Sequence, residues 1–97
     1  MSPFLATKQA LREETMKLGL DINVDEIVFP GGKDPGGWSD QLSYACILHE
    51  GTGIPSEWNF DDPFSWWDKL GFRISVLCGS RVYFEWINGY VSALYRV

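Results

Sequence analysis

The chain has 97 residues, a net charge of −5 and 45% hydrophobic residues, among them six Phe, five Trp and four Tyr. That is the length of one domain, spanning 1–97, with enough aromatic bulk for a real core. No apolar run approaches the roughly 18 residues of a membrane span, the first residues lack a secretory pattern, and the bases are too few and dispersed for a nucleic-acid footprint; the expectation is a cytoplasmic monomer.

Ser2-Pro3 is a helix start, because Ser caps and Pro suits the first turn. The helix is expected to run to about Leu18 and stop at Gly19. Phe4, Leu11 and Leu18, seven apart, with Leu5, Ala10 and Thr15 flanking, give it one apolar face. Ile22 to Phe29 reads as a strand, with Ile22, Val24 and Val28 on one side and Ile27 and Phe29 on the other. Asp21, Asp25 and Glu26 make it acidic, which suits either a guarded edge or a recognition surface.

Pro30 to Asp40 is a loop rich in Gly and Pro. It is not a phosphate loop, since Lys33 is followed by Asp34-Pro35 rather than by Ser or Thr opening a helix. Trp38, at its end, is a candidate contact element. Gln41 to His49 reads as a strand ended by Gly51-Thr52-Gly53. Leu42, Tyr44, Cys46 and Leu48 then face one way, and Ser43, Ala45, Ile47 and His49 the other.

Ile54 to Phe60 is an aromatic loop. Asp61-Asp62-Pro63 starts a short helix over 63–70, closed by Gly71. Trp58, Phe60, Phe64, Trp66 and Trp67 are a dense aromatic cluster, either a lid on the core or an interface anchor.

The last quarter reads as a three-stranded meander. Arg73 to Cys78, Val82 to Ile87 and Tyr90 to Val97 are rich in β-branched and aromatic residues. Asn88-Gly89 suits a two-residue type I′ turn, which pairs Trp86 with Val91, Phe84 with Ala93 and Val82 with Tyr95. A three-residue Gly79-Ser80-Arg81 loop then pairs Phe84 with Val76. The expected buried face is Ile74, Val76, Cys78, Val82, Phe84, Trp86, Val91, Ala93, Tyr95 and Val97. Leu77, Tyr83, Ile87, Tyr90 and Leu94 are left on the other face as a patch to be covered. The fold class is therefore α+β: an N-terminal helix on a mainly antiparallel sheet of about five strands, with a short second helix.

No catalytic or metal pattern emerges. His49 is the sole histidine and points away from Cys46 in a strand. Cys46 and Cys78, on separate strands, read as two thiols rather than a disulfide. Asp61 and Asp62 are adjacent and make a poor acid–base pair. Trp67-Asp68-Lys69-Leu70-Gly71-Phe72 resembles a stretch near the end of acetyltransferase domains, but no Gly-rich loop opening a helix lies upstream to hold their cofactor. The expectation is no enzyme, no cofactor and no metal.

Charge is distributed unevenly. Eleven acids lie between Glu13 and Asp62 against Lys17 and Lys33, whereas from Lys69 onward four bases face Glu85 alone. Such a surface repels nucleic acid and attracts basic protein surfaces. In size and charge profile the chain resembles bacteriophage anti-CRISPR proteins, other nucleic-acid mimics and toxin-immunity proteins. That resemblance implies a stoichiometric inhibitor in a bacterial host's cytoplasm, whose carboxylates stand in for phosphates on a basic, nucleic-acid-binding protein surface. The candidate contact residues are Asp21, Asp25, Glu26, Asp34 and Asp40, with Glu13, Glu14 and Trp38. Separately, Tyr44 to Gly53 resembles a strand and turn of phage head–tail connector proteins, which implies a structural or assembly component instead.

Overall fold

In the computed structural model of the chain, residues 1–55 and 66–97 are described. Helix α1 spans Pro3–Lys17. Its start follows the chemistry of Ser2, whose Oγ accepts the Leu5 N–H while Pro3 takes the first turn. Its stop is Gly19, whose φ of +72° is a conformation that side chains resist. The buried face is Ala6, Thr7, Ala10, Leu11 and Thr15, so the apolar stripe lies to one side of the expected one. Leu5 and Leu18 are exposed. The two buried threonines donate to the carbonyls of Pro3 and Leu11, each at 2.7 Å, and so leave no hydroxyl unpaired.

The expected strand over 22–29 is mostly something else. Asn23 accepts the Asp25 N–H and caps a single 3-10 turn, Val24–Glu26, and only Val28–Pro30 forms strand β1. The local competition of an Asn side chain for backbone donors wins over the apolar alternation. Strand β2 is Ala45–Leu48, the core of the expected 41–49 strand.

The largest departure is α2, Trp66–Cys78. Residues 73–78, expected as the first strand of the meander, are its last turns. Gly71, expected to close a helix over 63–70, lies in its interior; residues 63–65 fall outside the described segments. The stop is Gly79, at φ +71°, whose N–H donates to the Ser75 carbonyl. Trp67, Leu70, Gly71 and Ile74 are buried, a spacing of three and four that only a helix can put on one face. That shared burial outweighs the β preference of Ile74 and Val76. Cys78 therefore ends a helix rather than a strand; it and Cys46 are free thiols.

Strands β3, Val82–Trp86, and β4, Val91–Arg96, form the terminal hairpin. Its register is one residue away from the expected one: Phe84 pairs with Leu94 and Trp86 with Ser92. Asn88 explains the slip. Its Oδ1 accepts the N–H groups of Tyr90 and Val91, which holds a three-residue loop, 88–90, in place of the two-residue turn. Leu94, rather than Ala93, then meets Phe84 in the core, and Leu94 is fully buried.

Among the described residues the strands form one antiparallel sheet in the order β1-β2-β4-β3. There are four, where the sequence led us to expect about five. One face packs Val28, Ile47, Leu94, Val82 and Phe84 against Ala6, Ala10 and Leu11 of α1 and Trp67, Leu70 and Ile74 of α2. Each large aliphatic chain in such a core contributes about 1.5–3 kcal/mol. The other face carries Cys46, Val91 and Ala93, with Phe29, Leu48, Ile87 and Tyr95 against them. The expected single buried face is thus divided: Val82 and Phe84 lie on the helix side, Val91, Ala93 and Tyr95 on the other. Val76, Trp86 and Val97 are exposed.

Candidate functional site

Among the described residues, the second face of the sheet has no helix over it. Its partial cover is the loop 31–44, which returns from β1 to β2 and is built around one carboxylate. Asp34 is buried. It accepts the backbone N–H groups of Trp38 at 2.9 Å and Ser39 at 3.0 Å and the Ser39 hydroxyl. Ser39 Oγ in turn accepts the Gly32 N–H at 2.8 Å. The Cys46 thiol, on the sheet beneath, lies 3.9 Å from Asp34 Oδ1. Burial alone would raise the Asp34 pKa. The hydrogen bonds from Ser39 and from the backbone of Trp38 and Ser39 outweigh it and hold the carboxyl below its ordinary value. Burial pushes the Cys46 thiol up, and the nearby Asp34 charge adds to the shift.

Two glycines make the loop possible. A Cβ on Gly31 would stand 1.9 Å from the Ser43 carbonyl oxygen, and one on Gly36 would stand 2.3 Å from the Trp38 ring. The indole therefore lies flat over its own loop. It remains 46% exposed and stacks on Tyr90, with centroids 5.1 Å apart and planes 16° from parallel. Tyr90 belongs to the 88–90 loop fixed by Asn88, so a ring from each of two braced loops forms a single stacked step. Asp40 follows in sequence, exposed, with Oδ1 accepting the Leu42 N–H at 2.8 Å. Nearby, Tyr83 and Tyr95 are stacked at 5.9 Å. The Tyr95 hydroxyl is pushed up by burial first, and then by the charges of Asp40 and Glu85. Aromatic faces beside carboxylates are a surface that suits a guanidinium or an ammonium.

The other acids singled out in the sequence are distributed differently. Asp25 is paired with Lys8 at 3.0 Å and Arg12 at 3.2 Å; the hydrogen bond from Lys8 and its charge keep that carboxyl below the ordinary range. Glu13 pairs with Arg73 of α2 at 3.1 Å, and the hydrogen bond from Arg73 lowers its pKa. Glu14 pairs with Lys17 one turn on, at 2.9 Å. Asp21, Glu26 and Asp40 are exposed, and no cation pairs with them among the described residues. So the structure joins Asp34, Trp38 and Asp40 in one loop, commits Asp25, Glu13 and Glu14 to the chain's own bases, and leaves Asp21 and Glu26 apart on the surface. Tyr90 is the member of the stacked step that the sequence placed only in a general outward patch. No local pattern links it to Trp38, 52 positions away.

His49 is buried, 1% exposed, and meets the Trp67 ring edge-on at 5.6 Å. Neither ring nitrogen completes a hydrogen bond among the described residues. Burial lowers its pKa, and the backbone of Val91 opposes this. Cys46 lies on the other face of the sheet and Cys78 at the end of α2, so the three do not converge. Ser92 Oγ and Trp66 Nε1 are also buried with no hydrogen-bond partner among the described residues. Of the aromatic cluster expected near α2, Trp66 and Trp67 meet edge to face at 5.1 Å; Trp58, Phe60 and Phe64, like the expected helix cap at Asp61 and Asp62, lie outside the described residues. Among those described, no three His, Cys, Asp or Glu side chains converge as metal ligands, and no helix is long and apolar enough to cross a membrane. No family model matches the chain, and no curated protein or solved structure matches it either.

Proposed function

We propose that this chain is a non-enzymatic, stoichiometric binding protein that occupies a basic, nucleic-acid-binding surface of a protein partner. The stacked step of Trp38 on Tyr90 is the anchor and Asp40 its acidic flank. The observation that carries this reading is the bracing of Trp38. A buried carboxylate and one close-packed glycine, Gly36, hold one half-exposed indole in place, and rigid exposed aromatics are what interface hot spots are made of. The acidity of the surface, with Asp21 and Glu26 unpaired among the described residues, would speed encounter with a basic partner. The mode of action departs from an extended row of phosphate mimics, because Asp25, Glu13 and Glu14 are already engaged.

The test is capture of partners from the native host, identified by mass spectrometry, followed by affinity measurement on the purified pair. Trp38→Ala is expected to weaken binding by about thirtyfold or more. Asp40→Asn is expected to weaken it less and to flatten its salt dependence. Both variants should unfold close to wild type. A partner with no basic surface, or affinity unchanged by Trp38→Ala, would remove the proposal.

A further inference from the structure

The β3–β4 hairpin turns a second aromatic pair toward the face that no described helix covers. Val82 and Phe84 belong to the helix-side core, so by alternation Tyr83 and Glu85 stand on the opposite face. There Tyr83 lies directly across from Tyr95, and the two rings are stacked at 5.9 Å with planes 30° apart. Glu85 comes next along β3, opposite Ala93 and diagonal to Tyr95. Asp40 approaches from the loop. Its carbonyl accepts the Ser43 N–H, and the Tyr44 N–H bonds to the Leu94 carbonyl, which lays the turn 40–43 beside the end of β4. After burial, the charges of Asp40 and then Glu85 raise the Tyr95 pKa, so both carboxylates act on one phenol.

Tyr83 is 45% exposed, and Glu85 and Asp40 are exposed. Among the described residues, none of the chain's own bases pairs with either carboxylate. Arg96, paired in register with Val82, falls on the helix side by alternation, and Arg81 lines the groove beside α2. Two unpaired negative charges next to stacked rings attract a cation, and the rings select its shape. A guanidinium is planar and weakly hydrated. It can lie on a tyrosine face while its N–H groups reach a carboxylate as a fork. An ammonium is a strongly hydrated point charge and gains less from the ring.

We propose that Tyr83, Tyr95, Glu85 and Asp40 form a subsite for an arginine side chain of the protein partner. Its guanidinium stacks on the face of Tyr83 turned away from Tyr95 and donates to the Glu85 carboxylate. Asp40 adds negative field without a direct bond. The subsite rests on the reading of this chain as a binder of a basic protein surface, and adds a second contact to the Trp38 anchor. Tyr90, under Trp38, and Tyr95 lie at opposite ends of β4, roughly 17 Å apart along the strand. One partner surface can therefore meet both, with an aromatic anchor at one end and a charged, planar contact at the other.

The probe is a tetra-arginine peptide blocked at both ends, titrated into the full chain at low salt by calorimetry and two-dimensional NMR, against a tetra-lysine peptide of equal charge. The arginine peptide should bind at least about fivefold more tightly and shift the resonances of Tyr83, Glu85 and Tyr95. Glu85→Gln should weaken it by about tenfold and the lysine peptide by no more than about twofold. Tyr83→Leu should weaken it by about fivefold. An unchanged denaturant midpoint shows that each variant is folded. Equal affinity for the two peptides, or a Glu85→Gln effect that is absent or the same for both, would overturn the subsite. With the captured partner, loss of binding in Trp38→Ala but none in Glu85→Gln overturns the subsite and leaves the anchor standing. Loss in Glu85→Gln but none in Trp38→Ala does the reverse.

Discussion

The two faces of the sheet are covered by different means. On one side, helices α1 and α2 lay Leu11, Trp67, Leu70 and Ile74 over the strands. That cover is apolar and spread over many contacts. On the other side, the loop 31–44 is held down by one buried carboxylate receiving donors from Trp38 and Ser39. The first kind of cover supplies stability; the second supplies position. The ring positioned by the second kind is Trp38.

This contrast can be broken from either side. Trp67→Ala strikes the helix-covered face and should have the largest effect, about 3–5 kcal/mol in denaturant unfolding. Asp34→Ala strikes the loop and leaves buried donors unmet. It should cost about 1–3 kcal/mol and lose the near-ultraviolet signal of the Trp38–Tyr90 stack while far-ultraviolet dichroism stays intact. If both variants lose helix and stack together, the two covers are not separable.

Two further substitutions should raise stability. His49→Leu removes two unpaired ring nitrogens from beside Trp67 and should gain about 1 kcal/mol. The same position carries a pH signature. Burial lowers the His49 pKa in the fold, so the unfolded chain binds the proton more readily. Its contribution is therefore fully present above the unfolded value of about 6.5 and is lost as pH falls from there toward the folded pKa. His49→Leu should flatten that decline. Asp34, also lowered, should produce a second loss as pH falls through the unfolded carboxyl value of about 4, absent in Asp34→Ala. Gly71→Ala should gain up to about 1 kcal/mol: the glycine is inside α2, and an added Cβ would meet the Phe84 ring at an ordinary 3.7 Å. A loss there would mean that the helix ends at Gly71 after all. Asp25→Asn should have the smallest effect, because Asp25 is itself exposed and its pairs with Lys8 and Arg12 are screened; any change should fade at high salt.

Much of this molecule is written locally. Ser2-Pro3 and Gly19 bound α1 because capping and left-handed glycine are properties of single residues. Gly31 to Asp40 is a loop because Pro and Gly disfavour both ladders, and only Pro30 of the expected loop is taken into β1. The α+β class and the β3–β4 hairpin follow from composition and turn residues. What failed failed where local preference competed with burial elsewhere. Ile74 and Val76 favour a strand by themselves, but Trp67, Leu70 and Ile74 share one side only in a helix, and α1 with its Glu13 is there to receive that side through Arg73. The hairpin slipped by one residue because Asn88 found two backbone donors and Leu94 found Phe84. Among the acids, only the sum of charge was legible from composition: which carboxylates pair with Lys8, Arg12, Lys17 or Arg73, which one is buried under Trp38, and which stay unpaired among the described residues depends on distances that exist only once the chain has folded. Single-residue backbone chemistry acts over a few positions and is readable from them. Pairing between residues far apart in sequence is decided by packing, and packing is a property of the whole.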